Sequence, residues 1–259
     1  MRRWMEPPST RSPARISGDA PPYSGDEQYV LTHSPGTGVK SIELPGPGEV
    51  HIWRASLGRP GSRAAPGSAT LCEEETARAA RLSDPRAANR FVAARALLRE
   101  ALGRYLEMEP RLVQIRYGPH GKPCLQETFP LQFNVSHADD QALLAFTTSG
   151  RLGIDVERIR PLSHAHRVAR RAFHPDDLQS WLGLSEEERL QGFFERWTRM
   201  EARAKLLGHG VWRLLQDGHV SREEDQQIHV HQIEMPSGFV ASLAVEAKTE
   251  RIRVDELIT

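Results

Sequence analysis

The chain has 259 residues, 39% hydrophobic and 26% charged, the composition of an ordinary globular protein rather than a disordered, fibrous or membrane chain. No run approaches the roughly 18–20 apolar residues of a membrane helix, and 34 basic against 34 acidic side chains leave no net charge, which removes a composition-level case for nucleic-acid binding. The two cysteines, Cys72 and Cys124, permit one bridge at most and make no metal cluster, so a reducing, cytoplasmic compartment is expected.

Residues 1–48 are rich in Pro, Gly and Ser without apolar periodicity, and a mostly disordered tail is expected there. Within it Gly36-Thr-Gly-Val-Lys-Ser41 imitates a phosphate loop, but it lacks a Gly directly before the Lys and a preceding strand. Glu49–Arg54 alternates like a strand with both faces occupied. Ser83-Asp84-Pro85 starts a helix, with a capping side chain and Pro at the first helical position. Phe91, Ala94, Leu98, Leu102 and Tyr105 then repeat at helical spacing, with Arg90, Arg95 and Arg99 on the same helix.

Four strands are predicted next, over Leu112–Tyr117, Leu131–Val135, Ala142–Thr147 and Leu152–Glu157. Helical patterns resume after Pro161; Ser185 with three glutamates opens the last helix and Gly208 closes it. Two strands end the pattern, around Ile228–Ile233 and Phe239–Val245. The order predicts an α+β fold of two similar halves, 49–149 and 150–259, the second carrying most of the candidate metal ligands.

The candidate chemistry is spread over short motifs. Asp155 and Glu157 stand two apart on a predicted strand, so both carboxylates project from one face, a partial set of hard oxygen donors suited to Mg²⁺; a solvated strand face is the alternative. Trp197, Glu201 and Lys205 recur every four residues along one helix stripe, which an ordinary surface Glu–Lys pair also satisfies. Lys122 rides on the turn Gly118-Pro-His-Gly-Lys-Pro123, where it can reach an anion. Ser136 and His137 end a strand, but sequence neighbours on a strand point apart, which disfavours a nucleophile–base pair. His164-x-His166 and His229-x-His231 lack a full set of zinc ligands.

Taken in order, Arg90 with Arg95 and Arg99, Gly121-Lys-Pro123, Phe133-Asn-Val-Ser-His137, Gly153-Ile-Asp-Val-Glu157 and Trp197-x-x-x-Glu-x-x-x-Lys205 resemble the 4′-phosphopantetheinyl transferases of the Sfp type. The resemblance covers roughly residues 49–247. It implies two α+β subdomains related by a pseudo-two-fold, with coenzyme A and metal in the cleft between them. The reaction it implies is Mg²⁺-dependent transfer of the phosphopantetheine arm of coenzyme A to a serine of an apo acyl or peptidyl carrier protein, releasing 3′,5′-ADP. It assigns Asp155, Glu157 and Glu201 to Mg²⁺, Lys205 to the departing diphosphate, and Arg90, Lys122, Ser136 and His137 to the phosphates of coenzyme A. Glu201 and Lys205 are then the catalytic pair.

Two positions depart from the family pattern: Met200 stands where a lysine usually precedes the helix glutamate, and Asp177 replaces a glutamate in Phe173-His-Pro-Asp-Asp177. The rival functions are a noncatalytic relative that binds coenzyme A or a carrier, and a Mg²⁺-dependent nucleotide diphosphate hydrolase. A monomer is expected, with neither nucleic acid nor membrane as partner. Arg151, Arg158, Arg160, Arg167, Arg170 and Arg171 mark the expected carrier-docking surface.

Overall fold

Along β1 (Glu49–Ser56), Val50 and Ile52 face one way and His51 and Trp53 the other, and all four are buried. The strand needs no polar face because both of its sides are covered. The computed structural model describes residues 41–57, 68–118, 121–126, 129–208 and 227–256. The expected tail and the Gly36–Ser41 segment therefore lie largely outside the described residues. Ile42 already donates its backbone N–H to the Arg104 carbonyl at 3.2 Å.

Strand β1 is interior to a four-stranded sheet completed by β4 (Gln132–Ala138), β5 (Gln141–Thr147) and β9 (Arg251–Glu256), in the order β4-β5-β1-β9. β5 runs antiparallel to both β1 and β4, while β9 pairs parallel with β1, Val50 opposite Ile252. β9 was not anticipated from sequence.

Helix α1 (Glu73–Ala80) precedes α2 (Pro85–Leu106), which starts where the sequence predicts. Asp84 accepts the Arg86 N–H at 3.0 Å, with Pro85 in the first turn. The apolar stripe of α2 packs Ala94, Leu98, Leu102 and Tyr105 against Trp53, Phe133, Leu144 and Phe146 of the sheet. Arg99 is buried on this helix: its Nε donates to Glu75 at 2.6 Å, and Nη1 donates to the carbonyls of Pro110 and Val113 at 3.0 Å each. Arg99 thereby holds the chain that leaves α2 and is a structural residue.

The strand expected over Leu112–Tyr117 does not form. Pro110 opens a 3-10 turn through Leu112, which is exposed, and Arg99 takes carbonyls that a neighbouring strand would otherwise need. Only β2 (Arg116–Tyr117) extends, pairing with β3 (Pro123–Cys124).

A second, antiparallel sheet contains β6 (Leu152–Arg158), β7 (His229–Ile233) and β8 (Phe239–Val245), ordered β6-β8-β7. Ile154, Val156, Ala241 and Leu243 of this sheet share a core with Val50, Ile52 and Leu143 of the first. Helices α3 (Ala165–Ala172) and α4 (Pro175–Leu182) lead into α5 (Glu186–Leu207). Helix α5 begins with a capping box between Ser185 and Glu188 and ends at Gly208, whose φ is 71°. Among the described residues no helix is long and apolar enough to cross a membrane.

One glycine sets the distance between α5 and the second sheet. A Cβ on Gly153 of β6 would collide with the carbonyl oxygen of Ala202 and the backbone nitrogen of Leu206. Helix backbone therefore lies directly on strand backbone at this position.

Candidate active site

The motif Phe133-Asn-Val-Ser-His137 first serves to join the two sheets. Asn134 and Ser136, two apart on edge strand β4, share a face. Asn134 Oδ1 accepts the backbone N–H of Ile154 at 2.8 Å, and Ser136 Oγ accepts that of Val156 at 3.2 Å. Two side chains of one sheet thus take up edge donors of β6 in the other, both within buried surroundings.

This seam delivers Ser136 to Asp155. Ser136 Oγ donates to Asp155 Oδ1 at 3.0 Å, and Lys205 Nζ donates to the same carboxylate oxygen at 2.7 Å, to Ser136 Oγ at 2.9 Å and to the Ile154 carbonyl at 3.1 Å. All three ammonium protons have acceptors. Lys205 reaches them because Gly153 lets α5 descend onto β6. Asp155 is 3% exposed, and its second oxygen, Oδ2, is buried with no hydrogen-bond partner among the described residues.

Glu157 and Glu201 complete an acidic group. Burial raises the pKa of Asp155 despite Lys205. Burial and the charge of Asp155 raise Glu157, against the pull of Arg160, whose Nη1 lies 3.1 Å from Glu157 Oε2. Burial, then Asp155 and Glu157, push Glu201 up to about 8 against the opposing pull of Lys205. Three carboxyl groups that each disfavour ionisation of another form a set that a divalent cation would relieve. Among the described residues, however, no three His, Cys, Asp or Glu side chains stand as a ready-made metal site. Lys205 and Arg160 serve as the counter-ions of Asp155 and Glu157 instead. The donor chemistry and the orphaned Asp155 Oδ2 both suit a hard divalent ion.

On the other side of the Ser136 seam the charges are positive. His137 carries a pKa lowered first by loss of hydration and then by Lys205, Arg95 and Arg90, although part of the residue reaches the surface. Arg90 pairs with Asp139 at 3.6 Å, and Arg158 holds the other oxygen of Asp139 at 3.1 Å. An anionic and a cationic side chain, Asp155 and Lys205, thus meet at Ser136.

Lys122 is held by main-chain carbonyls. Its Nζ donates to the carbonyls of Leu152 at 3.0 Å and Leu206 at 3.3 Å, and burial lowers its pKa to about 8. It fastens the loop between β2 and β3 to β6 and the end of α5. Trp197 is a core anchor stacked on Phe193 at 6.0 Å, and it also offers a hydrogen bond that favours the charged form of Glu201. His166 packs on Trp181 at 4.9 Å, and His229 and His231 lie on edge strand β7. Asn134 carried no assignment from sequence, and Arg160, expected only on the docking surface, pairs with Glu157. The two-residue spacing of Asn134 and Ser136 was the readable signal for the former, while Arg160 shows its partner only once β6 is placed.

Two family descriptions match the chain. The 4′-phosphopantetheinyl transferase superfamily covers residues 151–254, and the N-terminal region of 4′-phosphopantetheinyl transferase covers residues 62–149. The 4′-phosphopantetheinyl transferase HetI of Nostoc sp. is 40% identical over 169 residues, which span 64% of this chain and 71% of the relative. The 4′-phosphopantetheinyl transferase AcpT of Escherichia coli is 32% identical over 126 residues, covering 49% of this chain and 61% of its own. The 4′-phosphopantetheinyl transferase Sfp of Bacillus subtilis is 28% identical over 144 residues, covering 52% and 63%. With the mixed α+β fold already described, these similarities place the chain in the 4′-phosphopantetheinyl transferase superfamily.

Proposed function

We propose that the chain transfers the 4′-phosphopantetheine arm of coenzyme A to a serine hydroxyl of an apo acyl or peptidyl carrier protein, releasing 3′,5′-ADP, with Asp155, Glu157 and Glu201 holding Mg²⁺. Family membership supports the reaction. The observation that carries the residue assignment is the buried, unpartnered Oδ2 of Asp155 beside two further carboxyl groups whose ionisation it opposes. When bound, the cation supplies a positive charge that offsets the charge gathering on the phosphate oxygens.

The bond that forms joins the carrier serine oxygen to the β-phosphorus; the bond that breaks releases 3′,5′-ADP. Glu201 is the acceptor of the serine proton. A bound cation would offset the neighbouring carboxylates that oppose ionisation of Glu201 and so favour the ionised form that can take the proton. Lys205 exchanges one of its three protein acceptors for an oxygen of the 5′-phosphate that leaves with 3′,5′-ADP, and Ser136, which already hydrogen-bonds both Lys205 and Asp155, keeps the ammonium aimed during the exchange. Arg90 and His137 lie on the cationic side and hold phosphate oxygens of the nucleotide. Met200 leaves the carboxyl set unchanged, and Asp177 sits in the first turn of α4, where its carbonyl accepts Arg196 Nε at 3.1 Å.

The decisive assay incubates the protein with coenzyme A, Mg²⁺ and an apo carrier while following carrier mass and 3′,5′-ADP. A transferase adds mass to the carrier as nucleotide appears. A hydrolase would release nucleotide without changing the carrier, and a binder would do neither. Asp155→Ala and Glu201→Ala should abolish transfer while leaving the fold intact; near-wild-type turnover in either would overturn the assignment.

A further inference from the structure

The two edges of the first sheet differ. Edge strand β4 is covered, because Asn134 and Ser136 reach from it to the backbone of β6. The opposite edge, β9, has no strand beyond it among the described residues. β9 pairs with β1 from Arg251 to Glu256 without a bulge, and it contains neither Pro nor Lys, so three common devices that keep an edge from pairing are missing. Val254 within it is a large apolar side chain, 43% exposed.

The register shows which backbone groups this edge offers. Arg251 donates its N–H to the Gly48 carbonyl at 3.3 Å, so its main-chain groups turn toward β1. Alternation along the strand turns those of Arg253 and Asp255 inward as well, and those of Ile252, Val254 and Glu256 out to the open edge.

The order of side chains decides what can pair there. Where a two-fold axis normal to the sheet joins two antiparallel copies of one strand, a residue on the axis stands opposite itself. Centring on Ile252 sets Arg251 against Arg253, and centring on Arg253 or Asp255 sets a charge against its own copy; all three are unfavourable. Centring on Val254 sets Arg253 opposite Asp255 of the second copy on both sides of the axis. It also makes Val254–Val254 and Ile252–Glu256 the hydrogen-bonded pairs, as their outward groups require, and leaves Arg253–Asp255 as the closer, non-hydrogen-bonded pair. Within one copy Arg253 Nε already lies 2.5 Å from Asp255 Oδ2, so the four side chains alternate in sign across the axis. Charge and ladder geometry thus select the same register.

We infer that β9 is a self-recognition surface: two copies of this chain associate edge to edge through antiparallel β9 strands centred on Val254, with Arg253 and Asp255 paired between copies. A contact one strand wide is smaller than the roughly 1,200 Å² at the low end of stable interfaces. The dimer is therefore transient, with a dissociation constant on the order of 10–100 µM, and the monomer expected from sequence is its dilute form. No residue of the proposed active site takes part.

Sedimentation equilibrium of the full chain from about 1 to 300 µM, a range spanning that constant, should show the mean mass rising from monomer toward dimer. Val254→Pro removes an N–H that β1 does not use, a change an edge strand tolerates; it should stay monomeric throughout with an unchanged urea midpoint. Asp255→Arg and Arg253→Asp should each weaken self-association by at least about tenfold. An equimolar mixture of these two variants should dimerise as wild type does, because unlike charges then face each other again. Wild-type protein that remained monomeric over the range, dimers that survived Val254→Pro, or a mixture no stronger than its components would each overturn the inference. Species larger than a dimer would also overturn it, since a two-fold contact closes on itself. So would hydrogen-exchange protection of the Ile252, Val254 and Glu256 amides that was equal at both ends of the range, the mark of an edge covered by another part of the same chain.

Discussion

Gly153 and Leu206 are in backbone-to-backbone contact: a side chain on the glycine would occupy the space of the Leu206 nitrogen and come within 3.0 Å of its Cα. The contact is what brings Lys205 into reach of Asp155. Gly153→Ala must push α5 off β6, and the opposing atoms are main chain, which cannot rotate away. Overpacking of this kind costs about 1–3 kcal/mol or more. We expect a lower urea midpoint and a loss of transfer exceeding what the lost stability accounts for. An alanine variant with wild-type midpoint and rate would show that the helix is not held there.

Asn134 offers a cleaner test of the seam between the sheets, because it touches no proposed ligand. Asn134→Ala leaves the buried Ile154 N–H without its acceptor, a loss of about 1–3 kcal/mol measurable by denaturant unfolding. Asn134→Asp keeps an acceptor oxygen and should recover part of it. A neutral alanine variant would mean that the seam contributes nothing.

Lys122 separates two roles. Its ammonium hydrogen-bonds two carbonyls, from Leu152 and Leu206, in partly buried surroundings. Lys122→Met should therefore lower the unfolding midpoint before any substrate is added, by about 1–3 kcal/mol for the acceptors left unpaired. A phosphate ligand alone would leave the unliganded midpoint unchanged and raise only KM for coenzyme A.

Acid stability is coupled to His51. Trp53 Nε1 donates to the Tyr105 hydroxyl at 2.8 Å, so the single phenol proton is directed to His51 Nδ1 at 2.9 Å, and Nε2 carries the ring proton toward Glu49. Burial lowers the pKa of His51 below its ordinary value, and it raises that of Tyr105 to about 12. The neutral histidine is the form that fits. Its contribution is complete above the unfolded pKa of about 6.5 and declines as pH falls toward the lower folded value. Urea midpoints between pH 7.5 and 5 should fall more steeply in wild type than in His51→Gln; parallel slopes would remove His51 from the pH response.

Most elements were legible because local chemistry marks them. Asp84-Pro85 and Ser185 through Glu188 declare their helices through side chains that serve backbone N–H groups, and Gly208 ends α5 by its positive φ. β9 was not legible: Ile252 and Val254 alternate with charges as a strand should, but the partner that makes them one is β1, about two hundred residues away. The Leu112–Tyr117 pattern misled for the converse reason, since a buried Arg99 claims the backbone acceptors. At the site, the face shared by Asp155 and Glu157 follows from strand period. The second duty of Ser136 and the diversion of Lys122 to backbone carbonyls depend on how β6 meets β4 and α5, which no local spacing encodes.

The arginine surface divides by what each side chain already holds. Arg151 pairs with Glu246 at 2.8 Å, Arg158 with Asp139 and Arg160 with Glu157 at 3.1 Å each, so these three are committed within the fold. Arg167, Arg170 and Arg171 are exposed on α3 and form no ion pair among the described residues. An acidic carrier would meet its strongest attraction at α3, where binding does not have to break an existing pair. Raising ionic strength from about 0.1 to 1 M shortens the Debye length from about 10 to 3 Å, so KM for the carrier should climb steeply with salt while KM for coenzyme A changes little. The combined Arg167→Glu, Arg170→Glu and Arg171→Glu variant should raise carrier KM by at least about tenfold at low salt through slower association and flatten the salt dependence. If that variant retained the wild-type salt profile, the carrier would have to approach by another face.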